Sequence, residues 1–216
     1  MAQPNSSARR DAIILAAAAE FDEVGYAAAS LSSIAARLLR TKGALSYHFS
    51  SKAALAHAVV DTQYSQWDGM VQAARAGGYR GVDALIVLSF VVAAKFRDDV
   101  LVRAATQLQG DPALQGDPAL QGVELPTPFV GWTGMTTGLL AEARSLGELD
   151  PALDLDAAAE VLVELFVGAH AVAKRLTNMR DLDERMHRFW LLCLPGLGIR
   201  DGAERVPRLA ADAAAY

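Results

Sequence analysis

The sequence predicts an all-α fold in two parts: an N-terminal three-helix head joined by one long helix to a larger helical body. Three observations carry that prediction. Apolar residues recur at three- and four-residue spacing along most of the 216-residue chain. Serine caps and glycine stops fall where each such run begins or ends. Hydrophobic residues make up 52% and charged residues 21%, so a sizeable core can be buried.

Taken in order, residues 8–24 place Ile14, Ala17 or Ala18, Phe21 and Val24 on one helical face, with Gly25 as the stop. Ser30 is the expected N-cap of a short helix through Ile34 to Leu38 or Leu39, and a second short helix is expected over 42–49. Ser50 or Ser51 then caps a long helix to about Ala76, closed by Gly77-Gly78. Residues 81–97 are apolar nearly all round, as for a helix surrounded by others, and a further helix is expected over 98–108. Helix 127–146 carries the stripe Phe129, Trp132, Met135 or Thr136, Leu139, Ala143 and Leu146. Helix 154–177 is apolar on two sides, with Val161, Leu165 and Val172 on one and Leu162, Phe166, Ala169 and Ala173 on the other. Helix 182–194 adds Met186, Phe189, Trp190, Cys193 and Leu194, and the tail after Gly198 forms one more short helix or frays. Late helices apolar on more than one face point to a homodimer, unless helices of the same chain cover both faces.

One segment breaks the pattern. Gly110–Gln121 reads GDPALQ twice. Two copies are too few for a solenoid, and Asp-Pro with glycine reads as turns in a surface loop, an insertion tolerated because loop closure entropy grows slowly.

The chain offers no catalytic set. The histidines His48, His57, His170 and His187 stand at no metal-ligand spacing, and the glycines form no phosphate or dinucleotide loop. Cys193 lies in an apolar run as an expected inert thiol; a single cysteine forbids an intrachain disulfide and fits a reducing compartment. No cofactor or metal is expected. The start MAQPNSSARR lacks the apolar segment of a signal peptide and no run of 18 apolar residues occurs, so the expectation is a cytoplasmic protein without a membrane partner.

The stretch LLRTKGALSYHFSSKAAL, residues 38–55, carries what chemistry there is. Two short helices joined by a tight turn, the second opening with donors, is the plan of a helix-turn-helix, whose second helix fits the major groove of DNA. Thr41, Lys42 and Gly43 stand at that helix's N-terminus, where free N–H groups favour a phosphate. Gly43 and Ala44 are small enough for close approach; Leu45 and Phe49 would dock on Ile34 and Phe21, leaving Ser46, Tyr47 and His48 outward. Lys52 can reach a flanking phosphate, and Arg40 points to solvent or phosphate. The net charge of −5 divides as +2 over residues 1–53 and −7 beyond, which suits a basic head on an acidic body.

These residues, TKGALSYHFSSKAALAHAVV with ARRDAIILAAAAEFDEVGYAAASLSSIAARL before them, resemble the N-terminal domain of TetR-family transcriptional regulators, over about residues 8–60. The form TKGAL…HF.SK.AL, together with LPTPFVGWTGMTTGLLAEARSLGEL at 125–149, is most similar to the γ-butyrolactone autoregulator receptors of Streptomyces. The resemblance implies a DNA-binding domain over 1–50 and a helical ligand-binding and dimerisation domain over 51–216. It implies a dimeric repressor, not an enzyme, that leaves double-stranded operator DNA when a small γ-butyrolactone-like effector binds. Arg40, Thr41, Lys42, Gly43, Ala44, Ser46, Tyr47, His48 and Lys52 become the expected DNA contacts. Trp132, which by itself reads as core sooner than as pocket, matches the family's ligand-covering tryptophan. Phe90, Phe166 and His170 are the further expected lining, while Tyr64 and Trp67 on the long helix could face pocket or solvent. The alternatives are a TetR-type sensor of another small hydrophobic molecule, or a helical carrier or enzyme whose DNA binding has lapsed. Two observations motivate the last: Leu39-Arg40 stands where the family has glycine and a small aliphatic residue, and the total charge is acidic. Ser46 also replaces a common aromatic, a departure that bears on the strength or sequence preference of DNA binding. A leucine forced to positive φ costs roughly 1–2 kcal/mol.

Overall fold

The computed structural model describes residues 6–39, 42–123, 125–126 and 128–216. Among these the α-helices are α1 (Ser6–Ala28), α2 (Leu31–Arg37), α3 (Lys42–Ser46), α4 (Lys52–Ala76), α5 (Gly81–Asp98), α6 (Val100–Gln109), α7 (Pro112–Gln115), α8 (Pro128–Ser145), α9 (Leu155–Thr177), α10 (Leu182–Cys193) and α11 (Gly202–Ala213). They divide into two compact units: residues 1–67 with 99–128, and residues 68–98 with 129–216. The first unit is therefore larger than a head of residues 1–50. It takes in the first part of α4, all of α6 and both hexapeptides.

In the first unit, helix ends follow the local rules. Ser30 caps α2 through a reciprocal box with Ser33, and the Ser51 hydroxyl accepts the Ala54 N–H at 2.9 Å to open α4. Gly25 does leave helical geometry, at φ 77° and ψ 168°, but the chain coils for one more turn, to Ala28. Phe21, Ile34, Leu45, Phe49, Leu55 and Val59 pack in one apolar cluster to which α6 adds Leu101, Ala105 and Leu108. Ion pairs fasten its outside: Arg37 to Glu20 and Glu23 joins α2 to α1, and Arg103 to Asp22 at 2.9 Å joins α6 to α1.

The hexapeptides are not the open loop that their turn residues suggest. Asp111 caps α7 and Asp117 caps a 3-10 turn over Pro118–Leu120, each accepting the N–H two residues on, with proline at the first helical position. Each copy drives its leucine inward: Leu114 is 0% exposed and Leu120 is 8% exposed, both within the cluster that holds Phe21 and Leu45. An Asp-Pro pair is as good a helix start as a turn, and tertiary burial of the following leucine decides which it becomes.

The second unit is built around α5, whose residues are buried on nearly every side. The Trp190 indole donates to the Ser89 hydroxyl at 2.7 Å, fixing α10 on α5. The tail forms α11: Val206 and Leu209 are fully buried, and Arg205 pairs with Asp83 at 2.5 Å and Glu148 at 2.7 Å. The expected stripe of α8 holds only in its middle. Thr136, Leu139, Leu140 and Ala143 are buried, whereas Phe129 and Leu146 at its ends are exposed. On α9, Leu162 and Ala173 enter the core while Val161, Leu165, Val172 and Leu176 are exposed, next to exposed Leu191 and Leu192 on α10.

Candidate nucleic-acid interface and ligand site

Helix α3 is five residues long, shorter than the expected 42–49. After Ser46 the chain tightens, and the His48 and Phe49 N–H groups both donate to the Leu45 carbonyl at 2.9 Å. Leu45 and Phe49 are buried beside Ile34 and Phe21, as their four-residue spacing requires, and the Arg10 guanidinium lies 5.3 Å from the Phe49 ring centre. On the opposite side Gly43 and Ser46 are exposed, and Tyr47 is 85% exposed. Half-buried His48 stands edge-on to Tyr47 with ring centres 5.2 Å apart. Lys42 and Ala44 lie on α3; Arg40 and Thr41 fall outside the described residues. The turn before α3 contains the irregularity that its sequence suggests: Leu39 has φ 52°, in the left-handed region, and its side chain is 94% exposed. Its N–H donates to the Ala36 carbonyl at 3.0 Å, the bond a glycine makes just past a helix end.

Lys52 is placed differently from the expectation of a phosphate contact. Its ammonium donates to the carbonyls of Tyr26 at 2.7 Å and Ala29 at 3.0 Å, and it lies 4.2 Å from the Tyr26 ring centre. A cation there satisfies carbonyls left open at the end of α1 and sits over an aromatic face. The Tyr26 hydroxyl donates to the Asp117 carboxylate at 2.5 Å. Burial, reinforced by that carboxylate, raises the Tyr26 hydroxyl above its ordinary range, and the Tyr26 bond followed by the Ala119 N–H holds Asp117 below its own.

In the second unit an aromatic group gathers around Phe96 of α5. Its ring centre lies 5.8 Å from Trp132, 6.2 Å from Phe166 and 4.2 Å from His170. Trp132 also meets Phe166 edge-on at 6.3 Å and Phe129 at 6.2 Å. Burial, followed by the Lys174 charge, lowers the His170 pKa to about 4, so the imidazole is neutral near pH 7. The group therefore gathers aromatic rings and an uncharged imidazole with one donor and one acceptor. Three of the four expected lining residues come together here. Phe90 does not: its ring meets His187 at 5.0 Å, tilted by 59°, because six residues along a helix turn it about 120° away from Phe96. Phe96 had no distinguishing signal in sequence, since α5 is apolar all round. Tyr64 and Trp67 belong to the first unit, where Trp67 is buried and Tyr64 packs on the apolar cluster.

Among the described residues no helix is long and apolar enough to cross a membrane, and no three His, Cys, Asp or Glu side chains form a metal-binding group.

Comparison with known proteins agrees with both halves of the molecule. Residues 13–59 match the family described as bacterial regulatory proteins, tetR family, and residues 79–198 match the tetracyclin repressor-like C-terminal domain. The A-factor receptor protein of Streptomyces griseus is 31% identical over 190 residues, 86% of this chain and 62% of the relative; the chain thus spans less than two thirds of that relative's length. A γ-butyrolactone receptor crystal structure, described as ArpA-like, is 30% identical with a TM-score of 0.75, covering 96% of each chain. The CprB protein of Streptomyces coelicolor, solved in complex with its biological operator sequence, is 29% identical with a TM-score of 0.78, covering 96% of this chain and 97% of its own. Helix-turn-helix and helical body alike place this chain in the TetR family of bacterial regulatory proteins.

Proposed function

We propose that the protein is a dimeric, ligand-responsive DNA-binding repressor released from its operator by a small γ-butyrolactone-like effector. The observation that carries this reading is the two-sidedness of α3 and the turn after it. Leu45 and Phe49 anchor the segment in the core while Gly43, Ser46 and Tyr47 stand exposed, a small-residue approach face followed by groups that can bond base edges or phosphates. Arg40, Thr41, Lys42, Ala44 and His48 complete the contact surface in this reading. Lys52 serves instead to hold the end of α1. The solved complex of CprB with its operator supports the assignment of DNA as partner, and the relatives named as γ-butyrolactone and A-factor receptors support the effector class.

The effector site is the aromatic group of Phe96, Trp132, Phe166 and His170. Trp132 supplies a broad apolar face for an acyl chain or a lactone ring, with buried Phe96 packed behind it, and neutral His170 suits an uncharged oxygen better than a carboxylate. The dimer forms through the exposed apolar residues of α9 and α10, Val161, Leu165, Val172, Leu176, Leu191 and Leu192. A second copy is the natural cover, because a helix-turn-helix dimer reads two half-sites about 34 Å apart and needs a fixed two-fold axis. Effector binding changes that spacing through α4, whose residues to Trp67 belong to the first unit and whose later residues belong to the second.

The test is a gel shift with the DNA upstream of the protein's own gene, repeated over a salt series and with γ-butyrolactone extract. Binding that falls steeply with salt and is released by the extract is the expected result. No retention at low salt would refute the repressor reading; retention that the extract leaves intact would refute only the effector class.

A further inference from the structure

We infer that the second GDPALQ copy is a strap that positions the DNA-reading helix, with Asp117 as the positioning residue acting through Tyr26. The inference rests on the reading that the head binds DNA.

The two copies have identical sequences and nearly identical local structure. In each, the aspartate Oδ1 caps a short helical turn, taking the N–H of Ala113 at 2.8 Å in the first copy and of Ala119 at 2.9 Å in the second. In each, the leucine enters the core. They differ in the turn, α-helical in the first copy and 3-10 in the second, in the Gln115 side chain that donates to the Gln109 carbonyl, and in the bond made by the aspartate's second oxygen. The second oxygen of Asp117 accepts the Tyr26 hydroxyl at 2.5 Å, a bond that Asp111 does not make.

Tyr26 stands at a corner of the head. It follows the Gly25 break in α1, and its carbonyl and ring both receive the ammonium of Lys52, the first residue of α4. Carboxylate, phenol and ammonium thus join three segments distant in sequence: the end of α1, the start of α4 and the second hexapeptide. The segment carrying α3 ends at that same start of α4, six residues after Ser46. Where α4 begins therefore bounds where Ser46 and Tyr47 can stand. A charge-assisted bond to a buried phenol is short and directional, so it narrows that range more than apolar contact alone would.

The duplication supplies its own control. Serine is a good N-cap but is too short to reach Tyr26 from position 117, so Asp→Ser keeps the cap and removes only the strap bond. Operator affinity and its salt slope are measured for the full-length protein, Asp117→Ser, Asp111→Ser, Tyr26→Phe and the Asp117→Ser/Tyr26→Phe double variant. Hydrogen exchange at residues 26–29 and 52–55 is measured for each. The expected result is a loss of affinity of about threefold to tenfold for Asp117→Ser and for Tyr26→Phe, no further loss in the double variant, and none for Asp111→Ser. The salt slope stays unchanged, because no phosphate contact is removed. Equal effects of the two serine variants, or additive losses in the double variant, would overturn the strap. If the unaltered protein binds no operator, the repressor reading fails by itself. The exchange data then decide the strap: unchanged protection at the corner in Asp117→Ser overturns it, and faster exchange there, absent in Asp111→Ser, upholds the hold on the corner.

Discussion

Replacing Leu39 by glycine should stabilise the protein, and the size of the gain follows from two numbers. Leu39 has φ 52°, where an L-residue's Cβ crowds the following carbonyl at a cost of roughly 1–2 kcal/mol, which glycine does not bear. Its side chain is 94% exposed, so deleting it gives up almost no burial. Glycine gains freedom in the unfolded chain, which offsets about 0.4–1 kcal/mol. The balance spans about 0–1.6 kcal/mol with its middle near 0.8 kcal/mol, a rise of roughly 2–3 °C in melting temperature for a chain of this size. Urea and thermal unfolding of Leu39→Gly, beside Leu39→Ala, provide the assay. Alanine keeps the Cβ and so keeps the strain; it should not share the gain. Equal midpoints for the glycine and alanine variants, or a glycine variant less stable than the parent, would refute the assignment of strain to this turn.

Other outcomes follow from the same structure. Leu114→Ala should cost about 2–5 kcal/mol in urea unfolding and Leu120→Ala less, since Leu114 is 0% and Leu120 8% exposed; no loss for either would return the hexapeptides to the status of a surface loop. Trp132→Ala should keep operator binding and lose release by effector, read by gel shift; normal release would remove Trp132 from the ligand site. Leu165→Glu with Leu176→Glu should sediment as a monomer and bind operator far more weakly, whereas a persisting dimer would place the interface elsewhere. His170, with a folded pKa of about 4 against an ordinary value near 6.5, is stabilising above pH 6.5 and loses that contribution as pH falls toward 4, because only the unfolded chain takes up the proton. Discounted for its partial exposure, the effect is about 1–2 kcal/mol between pH 7 and pH 4, and His170→Gln should flatten the profile of urea midpoint against pH.

What could be read without coordinates was whatever a few neighbouring residues decide among themselves. The caps at Ser30 and at Ser50 or Ser51, the departure from helix at Gly25 and the anomaly at Leu39 are all settled within one helical turn: Ser30 caps α2, Ser51 opens α4, Leu39 takes positive φ, and the backbone leaves helical angles at Gly25 although α1 coils on to Ala28. The two-sided pattern of Leu45 and Phe49 against Gly43, Ser46 and Tyr47 was legible for the same reason. The failures share a different cause: each depends on a segment distant in sequence. Lys52 looks free to meet a phosphate until the end of α1 offers it carbonyls twenty-odd residues away. Asp-Pro reads as a turn until burial of Leu114 and Leu120 turns it into a capped helix start. On α5, with apolar residues on every side, no periodicity separates Phe90, which meets His187, from Phe96, which meets Trp132, Phe166 and His170. Identical copies make the point most sharply. Asp111 and Asp117 share the same neighbours for several residues on either side, yet only Asp117 holds Tyr26. Since no local rule can tell them apart, any difference between their serine variants measures long-range placement alone.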